Sequence, residues 1–276
     1  MTAKPLPIFL LPISAIRKAM EQMSFAELLI ISILSKNAKD FVTLLTKPLK
    51  NMIISVDCWL SLKLVTASSE LYLLYFKRKQ RVRIEKSPYD KRYKKLYLPG
   101  FTEKQWIGHI VRVFSHNNGI VLSLKPLFSF RRGKIKETVE LFKGLNVRKL
   151  VNHDSRIENR QLLKLFPTPN YLRLSNDYIC ESILVQNFET LELLEKKLSL
   201  NDILTTNCTN LEIHYQSLSD RNLNLFMKHW IRGSNPNLQS ICVNFSREMR
   251  SFGAEVFKGI DHRKTIPQEN FYWGKH

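Results

Sequence analysis

Cysteine and histidine are the residue types in this chain best suited to metal binding or nucleophilic catalysis, and their spacing supports neither. Cys58, Cys180, Cys208 and Cys242 stand alone, and no Cys-x-x-Cys pair occurs. A structural zinc site needs four Cys or His ligands at short spacings. Cys208 and His214 are six residues apart, but a third and fourth ligand are missing. Buried free thiols in a reducing compartment account for the cysteines better. His109 and His116 lie near Lys104 and Arg112 with no nucleophile or carboxylate pair beside them, so they read as isolated surface histidines. No P-loop, Gly-x-Gly-x-x-Gly or Gly-x-Ser-x-Gly motif is present. The chain is expected to be non-catalytic, with no cofactor and no bound metal.

Charge is the other chemical resource. The formal net charge of +19 is unevenly spread: residues 1–50 carry +4, residues 201–276 carry +2, and +13 falls in residues 51–200. Its densest part is Lys77, Arg78, Lys79, Arg81 and Arg83, continuing to Lys91-Arg92-Tyr93-Lys94-Lys95. Three readings stay open for residues 77–95: a solvated loop or edge face, a landing site for an acidic partner or import receptor, or a nucleic-acid contact. Tyr89, Tyr93 and Tyr97 could stack on bases, or could form one inward-facing side of a strand or helix. No zinc finger or other DNA-binding motif supports the nucleic-acid reading, which is therefore the less favoured one.

Two glycosylation sequons, Asn207-Cys208-Thr209 and Asn244-Phe245-Ser246, matter only in a secreted protein. The stretch from Pro5 to Ile16 holds three prolines and no small-residue cleavage site, which makes a poor signal peptide. No run approaches the roughly 20 apolar residues that cross a membrane. A cytoplasmic or nuclear protein without membrane attachment is expected.

The elements that must position any site begin at the N-terminus. Pro12 suits a helix start, where its missing N–H would be unpaired. Ile13, Ile16, Met20 and Met23 then form one helical stripe. Ser24 and Glu27 make a capping box. The following run, Leu28 to Leu34, is apolar nearly all round, which a helix packed on one side does not need. Ser35 can cap a third helix with Ala38, Phe41, Val42 and Leu45 on one face, ended by Lys47-Pro48. About 40 residues make a thin core, so part of this apolar surface should remain for a partner or for the rest of the chain.

After Pro48 the period changes. Met52–Val56, Trp59–Leu64 and Glu70–Phe76 read as strands, with Ser87-Pro88 breaking the basic segment. Ile110–Phe114 and Gly119–Leu124 read as strands flanking a turn at Asn117-Asn118. Lys134–Leu145 has helical spacing through Ile135, Val139 and Phe142. From residue 147, short strands alternate with helices: Val147–Val151, Tyr171–Leu174, Thr190–Leu193, Asn210–Tyr215 and Asn237–Val243. Leu172, Leu191, Leu211 and Leu238 are spaced by 19, 20 and 27 residues, close to the leucine-rich repeat range of roughly 20–29. The strict Asn or Cys of that repeat is absent, so an irregular αβ repeat is expected. Ser219 caps a helix with Leu223, Phe226, Met227 and Trp230 on one stripe, closed by Gly233 and Pro236. Trp230 is expected in the core.

Two stretches resemble known families. Leu11-Pro12, Ile16, Met20, Met23, Phe25-Ala26-Glu27-Leu28 and Leu34-Ser35-Lys36 with Phe41 resemble an F-box. Ser14 stands where many members carry an acidic residue, and Ala19-Met20 replaces the usual Ile-Leu step. Ser217 to Leu238, above all Lys228-His229-Trp230-Ile231-Arg232-Gly233-Ser234-Asn235-Pro236, resembles the type-2 F-box-associated domain common in nematode F-box proteins. The resemblance implies a substrate-recognition subunit of an SCF-type cullin-RING ubiquitin ligase. It would bind a Skp-family adaptor, and through it a cullin, by Leu11, Pro12, Ile16, Met20, Leu28, Ile31 and Leu34. Which of these face the adaptor and which belong to the element's own core stays open. A protein substrate, not identified by the sequence, would bind the C-terminal domain. The expected fold is α+β, with an irregular αβ repeat. A three-helix F-box occupies residues 1–48, a strand-rich segment 49–146, and a leucine-rich-repeat-like F-box-associated domain 147–276. The alternative is a nucleic-acid-associated or scaffold protein that uses residues 77–95 without ligase engagement.

Overall fold

In the computed structural model, the described residues are 11–45, 49–56, 60–66, 71–77, 81–86, 93–97, 101–114, 119–125, 137, 139–154, 158–175, 181–194, 198–214, 218–244, 255–260 and 270–274. They divide into two compact units, Met1–Val121 with Thr138–Asn146, and Leu122–Glu137 with Val147–His276.

The first unit opens with three helices, α1 (Ile13–Glu21), α2 (Phe25–Leu34) and α3 (Lys36–Leu45). A meander of five strands follows: β1 (Asn51–Val56), β2 (Leu60–Val65), β3 (Leu71–Lys77), β4 (Arg81–Lys86) and β5 (Tyr93–Tyr97), each antiparallel to the next. Period-two alternation sets the register. Ile54, Leu62, Leu74 and Ile84 lie in one cross-strand row, and Val56, Leu60, Phe76 and Val82 in another. All eight are buried, so a one-residue slip of any strand would carry its apolar set to the opposite face.

Helix α4 (Glu103–Phe114) completes this unit, and it corrects the strand expected at Ile110–Phe114. Trp106, Ile107, Ile110, Val113 and Phe114 are all buried at helical spacing. The start is fixed by a capping box: Thr102 N–H donates to Gln105 Oε1 at 2.8 Å, and Gln105 N–H donates to Thr102 Oγ1 at 3.3 Å. Two satisfied backbone donors and a five-residue buried stripe outweigh the β-propensity of the Val- and Ile-rich end. Val139 and Phe142, on one side of the helix expected over Lys134–Leu145, are buried, but residues 141–144 form turns. Ile135, Ser87-Pro88 and the turn at Asn117-Asn118 lie outside the described residues.

Strand β6 (Ile120–Leu124) contributes its last three residues to the second unit. There β7 (Val147–Asn152), β8 (Tyr171–Leu174), β9 (Thr190–Leu193), β10 (Asn210–His214) and β11 (Ser240–Asn244) follow in sequence order. Neighbours from β7 to β11 are parallel. Helices α5 (Asn159–Leu165), α6 (Glu181–Leu184), α7 (Leu200–Leu204) and α8 (Asp220–Ile231) return the chain between them, and β12 (Asn270–Gly274) pairs antiparallel to β11. Leu150, Leu172, Leu191, Leu211 and Ile241 share one register row and are fully buried. Each such side chain contributes roughly 1.5–3 kcal/mol of burial free energy.

Polar rungs tie the turns of this ladder together. Asn237 Nδ2 donates to Asn207 Oδ1 at 2.5 Å, and Asn207 Nδ2 donates to Asn187 Oδ1 at 2.5 Å. Asn235 Nδ2 lies within 3.3 Å of the carbonyls of Ile203, Leu204 and Thr206. Helix α8 behaves as its sequence indicates. Ser219 Oγ accepts from Asn222 N–H at 3.3 Å, Gly233 takes a φ of 94°, and Trp230 is buried with its indole N–H donating to the Leu238 carbonyl at 2.9 Å.

Candidate functional site

The N-terminal helices carry the two most exposed large apolar side chains among the described residues, Leu44 and Leu34. Leu11, Ile13, Leu34 and Leu44 are 36%, 62%, 69% and 78% exposed. Local chemistry holds the helices that present them. The Ala15 and Ile16 N–H groups donate to the Pro12 carbonyl at 2.9 and 3.1 Å, so the exposed Pro12 is the N-cap of α1. Ser24 and Glu27 close their capping box, with Ser24 N–H on Glu27 Oε2 at 2.8 Å and Glu27 N–H on Ser24 Oγ at 3.4 Å. Ser35 Oγ accepts from Ala38 N–H at 3.1 Å and starts α3.

The structure sorts the candidate anchors. Ile16 and Met20 are buried within the chain's own core, because they point inward from α1 at i and i+4. Leu28 and Ile31 are half-buried on α2, while Leu11, Pro12 and Leu34 are exposed. Ile13 leaves the α1 stripe and faces outward, being the first residue of the helix. Leu44 was not singled out from sequence. Its signal was an apolar residue off the face of α3 that buries Ala38 and Val42.

Behind this face the helices are fastened to the rest of the first unit. The Phe25 ring packs on Tyr72 of β3 and Phe114 of α4, with centroids 5.1 and 4.8 Å away. Ser32, buried in the middle of α2, shares a 2.8 Å hydrogen bond with His109 Nε2 on α4 and donates to the Leu29 carbonyl at 2.7 Å. His109 is therefore not the isolated surface residue expected. Burial pulls its pKa down to about 4, with Lys39 and Arg112 adding to the shift. A neutral imidazole is thus held between two helices, a contact invisible to local spacing because the partners are 77 residues apart.

The described parts of the basic segment lie at the end of β3, in β4 and at the start of β5, while Lys91 and Arg92 lie outside the described residues. Lys77 ends β3 and pairs with Arg81 at the start of β4. Arg78 and Lys79 lie outside the described residues. Arg83 forms an ion pair with Glu85 at 2.5 Å, which offsets part of the local positive charge. Cys208 and Cys242 are buried thiols outside any disulfide, and burial pushes the Cys208 thiol up to about 12. Among the described residues no cluster of three or more His, Cys, Asp or Glu could hold a metal, and no helix is long and apolar enough to cross a membrane.

The N-terminal helices with their exposed apolar ends fall inside a match to the F-box domain family, which covers residues 8–50. A second match, to the F-box associated family, covers residues 179–243, from before α6 through β11. The F-box associated domain-containing protein sdz-33 of Caenorhabditis elegans is 34% identical over 279 positions, covering 99% of this chain and 90% of that protein. The chain belongs to the F-box proteins with an F-box-associated domain. No solved structure matches it. In this F-box protein the exposed ends of α1, α2 and α3 lie within the F-box match, and the parallel ladder from β9 to β11 lies within the associated-domain match.

Proposed function

We propose that this F-box protein is the substrate-recognition subunit of an SCF-type cullin-RING ubiquitin ligase. A Skp-family adaptor, and through it a cullin, engages the N-terminal helices, while the unit containing residues 147–276 holds a protein substrate. Ubiquitin transfer is carried out by other subunits, in the cytosol or nucleus. The observation that carries the reading is the exposure of Leu11, Pro12, Ile13, Leu34 and Leu44, all within the F-box match. Apolar side chains left open at helix ends suit a groove made by partner helices, and removing their surface from water supplies binding free energy at roughly 25 cal/mol per Å². Leu28 and Ile31 would add contact area at the margin, with Ile16 and Met20 supporting the face from within. The consecutive parallel strands support reading residues 147–276 as an irregular, leucine-rich-repeat-like platform for the substrate.

Co-expression of the full chain with a Skp-family adaptor tests this. A stable complex is expected by size-exclusion chromatography, and the double variant Leu11→Asp, Leu34→Asp should lose it while melting normally. Failure of the intact chain to bind, or retention of the adaptor by the double variant, overturns the assignment.

A further inference from the structure

One side of the parallel ladder, opposite the buried leucine row, is polar. Lys149, Tyr171, Thr190 and Asn210 share one register row, and Val151, Arg173, Glu192 and Glu212 share the next. Because side chains two apart point the same way, both rows lie on one face. Most of their charges are already matched. Lys149 Nζ stands 4.0 Å over the Tyr171 ring. The Tyr171 hydroxyl donates to a Glu192 carboxylate oxygen. Arg173 Nε lies 3.3 Å from the other Glu192 oxygen, whose side chain is only 7% exposed. Glu212 is the remainder. Its Cα pairs with that of Glu192 across the β9–β10 register, and among the described residues its carboxylate makes no hydrogen bond or ion pair. Its pKa is raised, first by burial and then by Glu192, despite the opposing pull of Arg173 and Lys149. A half-buried carboxylate beside a like charge is relieved by a cation brought from outside.

We propose that this face binds an extended segment of a protein partner that places an arginine or lysine side chain against Glu212. The face is an elongated strip crossing β7 to β11, roughly 19 Å at the usual strand spacing. The strip suits an extended chain, and the half-buried Thr190 hydroxyl is available to its backbone. The locked Tyr171–Glu192–Arg173 group offers a rigid wall, so little ordering is required on binding. The inference rests on the reading that this unit holds the substrate, but peptide binding here does not depend on the adaptor, so the two can fail separately.

The test uses the full-length chain and arrayed pools of degenerate peptides about ten residues long, enough to cross the strip. The pools differ only in a fixed central Arg, Lys, Glu or Ala. Arg- and Lys-centred pools should be retained roughly fivefold better than Glu-centred pools, at low salt where rim charges act. Glu212→Gln, nearly isosteric, should erase that preference, and Glu212→Lys should turn it toward Glu-centred pools. Equal retention of all pools by the unaltered chain, or a basic preference that survives both substitutions, overturns the proposal.

Discussion

The exposed ends of α1–α3 and the polar face of the parallel ladder are two surfaces built by opposite rules. The first leaves Ile13, Leu34 and Leu44 open to water, while the residues behind them, Ile16, Met20 and Phe25, are buried. The second holds only the half-buried Val151 among the apolar side chains of its charged rows on β7 to β10; Lys149, Tyr171, Arg173 and Glu192 largely satisfy one another. An apolar surface gains affinity from area and tolerates variation in detail. A charged surface contributes choice among partners more than strength. The contrast suits one surface meeting an invariant partner and another meeting a selected one.

Four experiments would break or sharpen that contrast. The largest effects should come from buried aromatic anchors, one in each unit. Phe25→Ala and Trp230→Ala should each cost about 3–5 kcal/mol, read as a lowered denaturant midpoint. An unmoved midpoint for Phe25→Ala would detach the N-terminal helices from β3 and α4. Next, Leu34→Asp and Leu44→Asp should each change stability by no more than about 0.5 kcal/mol while weakening adaptor capture about tenfold or more. Equal losses of stability and binding would mean these residues are structural. Ser24→Ala should cost about 1 kcal/mol by removing one half of the capping box, and a neutral result would show that Glu27 alone holds the start of α2.

The smallest effect concerns pH. His109 has a folded pKa lowered from 6.5 to about 4, so its neutral form is favoured on folding. The stability it contributes is full above 6.5 and is lost as pH falls toward about 4, because the unfolded chain takes up the proton first. Melts of the intact chain between pH 7 and 5 should therefore fall more steeply than those of His109→Asn. Parallel curves would show that burial in the folded chain does not hold the imidazole neutral.

Much of this architecture could be read from local spacing. The capping box at Ser24, the α8 stripe with Gly233, and the strands from β7 to β11 all announce themselves within a few residues. The N-terminal and associated-domain resemblances rest on the same kind of short-range order. What escaped was either ambiguous locally or made by distant partners. Ile110–Phe114 carries strand-forming residues, and only the Thr102–Gln105 box, easily passed over, marks the start of the helix containing them. The Ser32–His109 contact and the stacking of Asn187, Asn207 and Asn237 join residues that sequence neighbours cannot connect. The division of the apolar N-terminal residues into buried and exposed sets likewise depends on β3 and α4, which lie well outside the motif.

The alternation of β8 to β10 has an evolutionary consequence. Leu172, Leu191 and Leu211 maintain the fold from one side, while Glu212 on the other carries little of that duty, and Arg173 and Glu192 beside it are tied to each other by their ion pair. Selection could rewrite Glu212 by a single codon without endangering the leucine row. Gene duplicates sharing this ladder could diverge in what they recognise faster than in how they fold.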